Sequence, residues 1–295
     1  MILGLVSLAL GFYRLFSGKK FRFESALSLA FYFGFAVHLL NLALRAYISG
    51  HAPWSDAYES LVYISLASVL AGVLFFKHQS FALGAASLFA SVSLLVAHLN
   101  FINPQITNLV PVLKSFWLSV HVSVITASYG FLGFSFVLGL LGLLLMAIKN
   151  KKNEQKLSEQ IRYLAATDEL SLIIGLSLLT IGNFLGGVWA NESWGRYWGW
   201  DSKESWSYIT IIIYAIALHL RFIPRLKNVF TFLVASVLSF GSVIFTYFGV
   251  NFYLSGLHSY ANGDGFSVSN LLYLLLMLLA LLIAFAYRGK DIKEI

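Results

Sequence analysis

The sequence predicts an all-α, polytopic integral membrane protein with about eight or nine transmembrane helices. Three observations carry that prediction. Of 295 residues, 59% are hydrophobic and only 11% charged, where soluble domains carry roughly 25% charged residues. Mean hydropathy is +0.79. The apolar residues fall into stretches of roughly twenty, the length a helix needs to cross a hydrocarbon core of about 30 Å, with no alternating strand pattern of a barrel. A water-soluble enzyme, a disordered tail and a nucleic-acid-binding module are excluded, so the lipid bilayer is the first partner and nucleic acid is not one. The net charge of +7 reports membrane orientation rather than a polyanion ligand. Cysteine is absent, which removes disulfides, thiol chemistry and thiolate metal ligation from the chain itself.

Taken in order, qualifying spans lie near 25–45, 58–76, 81–99, 117–147, 169–188, 229–249 and 269–287, with shorter ones at 2–16 and 207–221. The first apolar run has signal-peptide length. It lacks a preceding basic residue, and Tyr13-Arg14-Leu15-Phe16 is no small-residue cleavage site. Nine spans result. Sixteen of the twenty Lys and Arg residues fall in one set of alternate loops, and only Arg45, Lys114, Arg196 and Lys203 in the other. The positive-inside rule therefore predicts a cytoplasmic C-terminus and an external N-terminus. Pro53, Pro104, Pro111 and Pro224 all fall in predicted loops, where a missing N–H breaks no helix. Residues 149–168 read as an ordinary solvated cytoplasmic loop. Without repeats or low-complexity linkers, residues 1–295 read as a single membrane domain.

The external segments expected are 46–57, 100–116, 189–206 and 250–268. The third holds five of the seven tryptophans: Trp189, Trp194, Trp198, Trp200 and Trp206. An interfacial belt would spread its aromatics over both membrane faces, so this external loop calls for another explanation. Dense flat apolar faces suit a large planar ligand, whose polar edge Trp N–H, Asp201, Glu204 or Arg196 would fix. Porphyrin is the foremost candidate, and an iron porphyrin also needs axial ligands, commonly histidine.

Seven histidines occur: His38, His51, His78, His98, His121, His219 and His258. His121, near the external start of its span, and His258, in the last external segment, sit at the face carrying the tryptophans. His219 lies 13 residues beyond Trp206, roughly 20 Å deeper at 1.5 Å per residue. If it is a ligand it belongs to a second site, with His38 or another subunit supplying the opposite ligand. Each intramembrane histidine has an alternative role, a hydrogen bond to a neighbouring carbonyl or hydroxyl. His78, beside Lys77, reads as a loop residue.

At these residues the sequence resembles the CcsA/ResC family of cytochrome c biogenesis proteins, within the wider group of haem-handling proteins with a tryptophan-rich WWD loop. The resemblance rests on Trp198-Gly-Trp200-Asp201-Ser-Lys-Glu204, Gly50-His51-Ala-Pro53-Trp-Ser-Asp-Ala-Tyr58-Glu59-Ser60, Tyr214-Ala-Ile-Ala-Leu-His219, and Gly249-Val-Asn251 leading to Gly256-Leu-His258-Ser-Tyr260. The glutamate three residues after Asp201 favours this branch over the related CcmC proteins.

The resemblance implies delivery of haem b to the outer face and its attachment to the CXXCH cysteines of apocytochrome c. It implies a component of a haem-attachment complex rather than a self-contained enzyme, with no certain catalytic residue. His121 and His258 match the family's external iron ligands. His219 matches an inner ligand, whose opposite ligand comes from a CcsB/ResB-type membrane subunit; at this length the chain reads as the unfused form. Trp189, Trp194, Trp198, Trp200, Asp201 and Trp206 make up the haem-handling segment. A bacterial cytoplasmic membrane or a plastid thylakoid both suit the resemblance, the bacterial one being preferred. Asp201 and Glu204 either assist protonation or, as preferred, serve structurally by pairing with Arg196 or Lys203. The alternatives are a haem chaperone loading an intermediate carrier and, from a different class, a b-type electron-transfer cytochrome.

Overall fold

The computed structural model describes residues 1–19, 24–75, 80–99, 103–106, 114–256 and 270–291. Among them every regular element is helical: α1 Ile2–Ser17, α2 Glu24–Ser49, α3 Ala57–Phe75, α4 Ser80–Ala97, α5 Phe116–Ala147, α6 Glu154–Trp194, α7 Ser202–His219, α8 Val229–Ile244, α9 Val250–Tyr253 and α10 Asn270–Ala286. Eight helical segments are long and apolar enough to span a membrane, and α1, at 16 residues, is a shorter apolar helix. The protein is an integral membrane protein of all-α class. Pro53, Pro104 and Pro224 lie outside the helices; Pro111 and His78 are outside the described residues.

Two compact units divide the chain. The first comprises Met1–Val137 and Ile174–Tyr197, the second Leu138–Ile173 and Trp198–Ile295, so α5 and α6 contribute to both. In the first unit small residues let helices approach closely, as is usual where lipid removes the hydrophobic drive for helix association. Gly130 of α5 leaves room for Ala67 and the Ile64 carbonyl of α3. Hydroxyls tie the remaining crossings: Ser7 Oγ donates to the Ser80 carbonyl at 2.7 Å and Ser93 Oγ to Leu61 at 2.9 Å. Leu42, Val62 and Leu66 form a buried cluster with Phe35, Tyr58, Tyr63 and Leu94 packed on it.

In the second unit α7 packs on α8. The Thr210 and Thr246 hydroxyls meet at 3.0 Å, and Asn228 caps α8 by accepting the Thr231 N–H at 2.8 Å. A single π-helical turn, Phe245–Gly249, joins α8 to α9.

Two expectations change. Residues 149–168 are not a loop, because α6 already begins at Glu154. Leu157, Ile161, Leu164 and Asp168 form a buried stripe along that helix, at the 3–4-residue spacing of one helical face. With 41 residues the helix is about 62 Å long, roughly twice the hydrocarbon thickness. The tryptophan segment, in turn, is not one open loop. α6 runs through Trp189 to Trp194, Gly195 ends it at φ +71, and α7 starts at Ser202. Only residues 195–201 lie outside a helix.

Candidate functional site

His121 stands in the second turn of α5, and its surroundings are set by glycines on α6. The His121 Nδ1–H donates to the Gly182 carbonyl at 2.7 Å. Four residues on, a methyl group at Gly186 would lie 2.6 Å from His121 Cε1 and 2.8 Å from Nδ1. Only a residue without Cβ lets the imidazole lie there. The carbonyl acceptor places a proton on Nδ1, and metal-ligating histidines commonly make such a bond through the ring nitrogen that does not face the metal. On its other side the ring stacks against Trp189, 12° from parallel at 6.3 Å between centroids, and Trp194 meets Trp189 edge-on at 4.8 Å. Trp189 is 1% exposed, so it acts as a wall behind the histidine rather than an open stacking face.

The motif 198–206 belongs to the second unit. Asp201 is the N-cap of α7 in a reciprocal capping box: its carboxylate accepts the Lys203 N–H at 3.2 Å, while Glu204 Oε2 accepts from Asp201 N at 3.2 Å and Gly199 N at 2.8 Å. Both carboxylates thereby satisfy backbone donors that a helix start leaves open. This tight turn drives Trp200 to φ +57, a conformation that costs a non-glycine residue about 1–3 kcal/mol. The strained side chain is held outward, 72% exposed. Trp198 packs edge-on to Trp200 and Tyr208, and its indole Nε1 is buried without a hydrogen-bond partner. Trp206 lies over Phe245 with centroids 4.1 Å apart, and its carbonyl accepts from Thr210 and from Thr246 in the π-turn. Gly256 runs against Asp201, and Ser202 Oγ donates to the Ser255 carbonyl at 2.7 Å. The chain thus leaves the described residues, two short of His258, from beside the tryptophan motif; His258 itself lies outside them.

Residues 54–258 match the family model described as cytochrome C assembly protein. The chain belongs to the cytochrome c assembly family. Protein NrfI of Wolinella succinogenes is 58% identical over 230 residues, covering 78% of this chain and 25% of NrfI. CcsA of Chlamydomonas reinhardtii is 38% identical over 229 residues, 75% of this chain and 64% of that protein. CcsA of Prochlorococcus marinus is 32% identical over 294 residues, covering 90% and 91% of the two chains. The chain therefore spans a quarter of NrfI and less than two thirds of the algal protein, but most of the cyanobacterial one. Among solved structures, the cytochrome c haem lyase CcmF aligns with TM-score 0.62 at 15% identity, covering 97% of this chain and 49% of CcmF, a likeness of fold.

Two further histidines of this assembly-family chain are placed by the fold in ordinary roles. His38 has its Nε2 against the Val62 carbonyl at 3.0 Å and the Ser65 hydroxyl at 3.2 Å, the hydrogen-bonded role open to any intramembrane histidine. His98 is exposed, bonded through Nδ1 to Leu94 at 2.8 Å, with Tyr58 edge-on. His219 ends α7 exposed, its Nδ1 donating to the Ala215 carbonyl at 2.6 Å. Among the described residues no three His, Asp or Glu side chains converge as a multi-ligand metal site would.

Sequence reasoning missed a buried ionic cluster between α2 and α3. Glu59 is fully buried, bonded to Arg45 Nε at 2.8 Å and to Ser55 N at 2.9 Å. Arg45 also lies over the Tyr58 ring and donates to the Pro104 carbonyl. Burial holds the Asp56 carboxyl above the ordinary carboxylate value, against the Glu59 N–H and Arg45. His51 Nδ1 contacts the Ala52 carbonyl at 3.1 Å, and its Nε2 is buried without a hydrogen-bond partner. Charges at predicted span ends were the signal, since such groups persist only when paired. Asp168 was missed likewise: it is fully buried and accepts from Ser236 Oγ at 3.0 Å.

Proposed function

We propose that this protein holds haem at the external membrane face and supports its covalent attachment to the CXXCH cysteines of apocytochrome c. The observation that supports it most directly is the His121 environment: a carbonyl-bonded Nδ1, a glycine cradle and a stacked tryptophan orient one imidazole in the way metal-bound histidines are oriented. The second unit, taken by itself, carries features suited to a porphyrin. Trp200 offers an exposed aromatic face, and the buried Trp198 indole N–H lacks an acceptor, which a haem propionate would supply. Family membership, and relatives named for cytochrome c biogenesis, support a role in c-type cytochrome maturation.

In this reading His121 and His258 are the two external iron ligands, and Trp198, Trp200 and Trp206 pack around the macrocycle. Haem b supplies the vinyl groups and the iron. The client's cysteine S–H adds across each vinyl, sulfur to one carbon and hydrogen to the other, and the client histidine takes an iron position. The chain's own residues position rather than react, which by itself raises effective concentration by orders of magnitude. His219 serves an inner station whose second ligand a CcsB/ResB-type subunit provides. The Arg- and Lys-rich loops lie in the cytoplasm and the tryptophan motif outside, in a bacterial cytoplasmic membrane.

The test is transfer. Haem-loaded protein, co-purified with its presumed partner, is mixed with a CXXCH-containing apocytochrome peptide, and the peptide is extracted with acidified acetone. Covalent haem on the peptide is expected, and it should disappear in His121→Ala. Haem that stays on the protein through repeated reduction and oxidation, with none on the peptide, would instead identify an electron-transfer cytochrome.

A further inference from the structure

Residues 50–59 have no part in the haem site described above, yet buried charge holds them in place. Gly50 turns the chain at φ +69, a conformation glycine adopts without a Cβ clash. Fully buried Glu59, in the first turn of α3, accepts the Ser55 N–H at 2.9 Å and the Arg45 Nε–H at 2.8 Å, which ties the segment to α2 as well as to α3. Ser55 Oγ donates to the Ala52 carbonyl at 2.8 Å, closing the turn around Pro53 and Trp54. Trp54 packs on Tyr63 of α3 with ring centroids 4.8 Å apart, and its indole N–H donates to the Ser119 carbonyl of α5 at 2.9 Å. All of these residues belong to the first unit, as does His121.

Helix ends open first, because their terminal turns have the fewest partners. α5 starts at Phe116, and both Phe116 and Trp117 are exposed. Two side-chain bonds from other elements meet this end. Ser115 Oγ donates to Glu192 at 2.6 Å in an exposed bond, and Trp54 reaches Ser119 in a partly buried one. Ser119 precedes His121 by two residues, about 3 Å along the helix axis. Gly182 and Gly186 set the direction of the imidazole ring; the Trp54 bond fixes the backbone that carries it. A bond that only joined helices would serve anywhere along the 32 residues of α5, whereas this one meets the turn beside the ligand.

We infer that Trp54 is a positioning residue for His121, held against α5 by the buried Glu59–Arg45 pair. This role rests on the reading of His121 as an iron ligand and adds the group that keeps its helix end in place. Such ligands depend on supporting groups that lock their orientation.

Two replacements remove the indole N–H: Trp54→Phe, and benzothienylalanine placed at residue 54, which keeps the indole shape. Full-length protein, co-purified with its presumed partner and loaded with ferric haem, is mixed with excess apomyoglobin as haem acceptor. Both replacements should quicken haem loss about fivefold, the effect of one net hydrogen bond. The five-coordinate high-spin signal in electron paramagnetic resonance should rise, and added imidazole should return it to low spin. The melting temperature should stay within a few degrees of wild type. In the His121→Ala background the same replacements should quicken haem loss no further, because a residue that acts through His121 has nothing left to act on. Where Trp54→Phe does not fold, the isostere alone decides. The same acceleration in the His121→Ala background overturns the assignment and leaves the proposed function standing. Wild-type haem loss and spin state in the folded replacements do likewise. Wild-type protein that holds no haem overturns both readings.

Discussion

Gly186→Ala isolates the preparation of His121 from the stability of the helices. The added methyl would stand 2.6 Å from the imidazole Cε1, too close for any real contact, and the side-chain ring yields more easily than backbone. Its movement breaks the 2.7 Å bond to the Gly182 carbonyl, worth about 0.5–1.5 kcal/mol net. It also disturbs the parallel packing on Trp189. Loss of such an orienting partner lowers metal affinity by about 10–100-fold. Alanine meanwhile favours helix over glycine by about 1 kcal/mol, which offsets much of the strain. Haem retention in the purified protein should therefore fall at least tenfold while the melting temperature changes by only a few degrees. Soret absorbance per protein, read beside thermal unfolding followed by circular dichroism, measures both. A variant with wild-type haem content and an unchanged Soret band would refute the claim that this glycine positions the ligand.

Trp200→Gly should relieve the φ +57 strain and raise stability by about 1 kcal/mol while lowering haem retention; a variant that keeps its haem would return this tryptophan to a purely interfacial role. Asp201→Ala should cost about 0.5–2 kcal/mol through the lost cap, whereas Asp201→Asn should preserve both stability and haem attachment. Attachment lost in Asp201→Asn at unchanged melting temperature would assign the carboxylate a chemical role instead. For Asp56 the native pKa is raised, chiefly by burial, so the native state binds its proton more tightly than the unfolded chain. Its stabilising contribution is complete below the ordinary carboxylate pKa, about 3.9, and declines as pH rises through the raised native value. Asp56→Asn should flatten that part of the melting-temperature profile, and an unchanged slope would show that another group titrates there.

Hydropathy located every long span because the membrane imposes one length on all of them. It misjudged α6, whose first turns carry Glu154, Lys156, Glu159 and Arg162. Charges on the exposed face of an amphipathic extension look like loop composition until Leu157, Ile161 and Leu164 are read at helical spacing. The tryptophan segment reads as one loop in the sequence, whereas α6 and α7 hold its two ends. Asp201-Ser-Lys-Glu204 carries the spacing of a capping box, and Gly195 is a natural helix stop, so its helix–turn–helix form was present in the residues. Asp201 and Glu204 cap α7 through backbone N–H groups, and the Asp201 carboxylate also acts on Lys203, one of the two partners expected for it. Nothing in the spacing reveals that Gly182 and Gly186 would flank His121, since that pairing depends on how α5 crosses α6. The hydrogen bonding of His38 is likewise tertiary: its partners, Val62 and Ser65, lie on another helix.

The central claim, that this chain holds haem through external histidines, is tested most directly by the absorption spectrum of the protein co-purified with a CcsB/ResB-type subunit, wild type beside His121→Ala/His258→Ala. A bis-histidine haem spectrum in the wild type, its external component lost from the double variant and partly restored by added imidazole, is the predicted result. A double variant with the same haem content and the same spectrum as the wild type would contradict the claim.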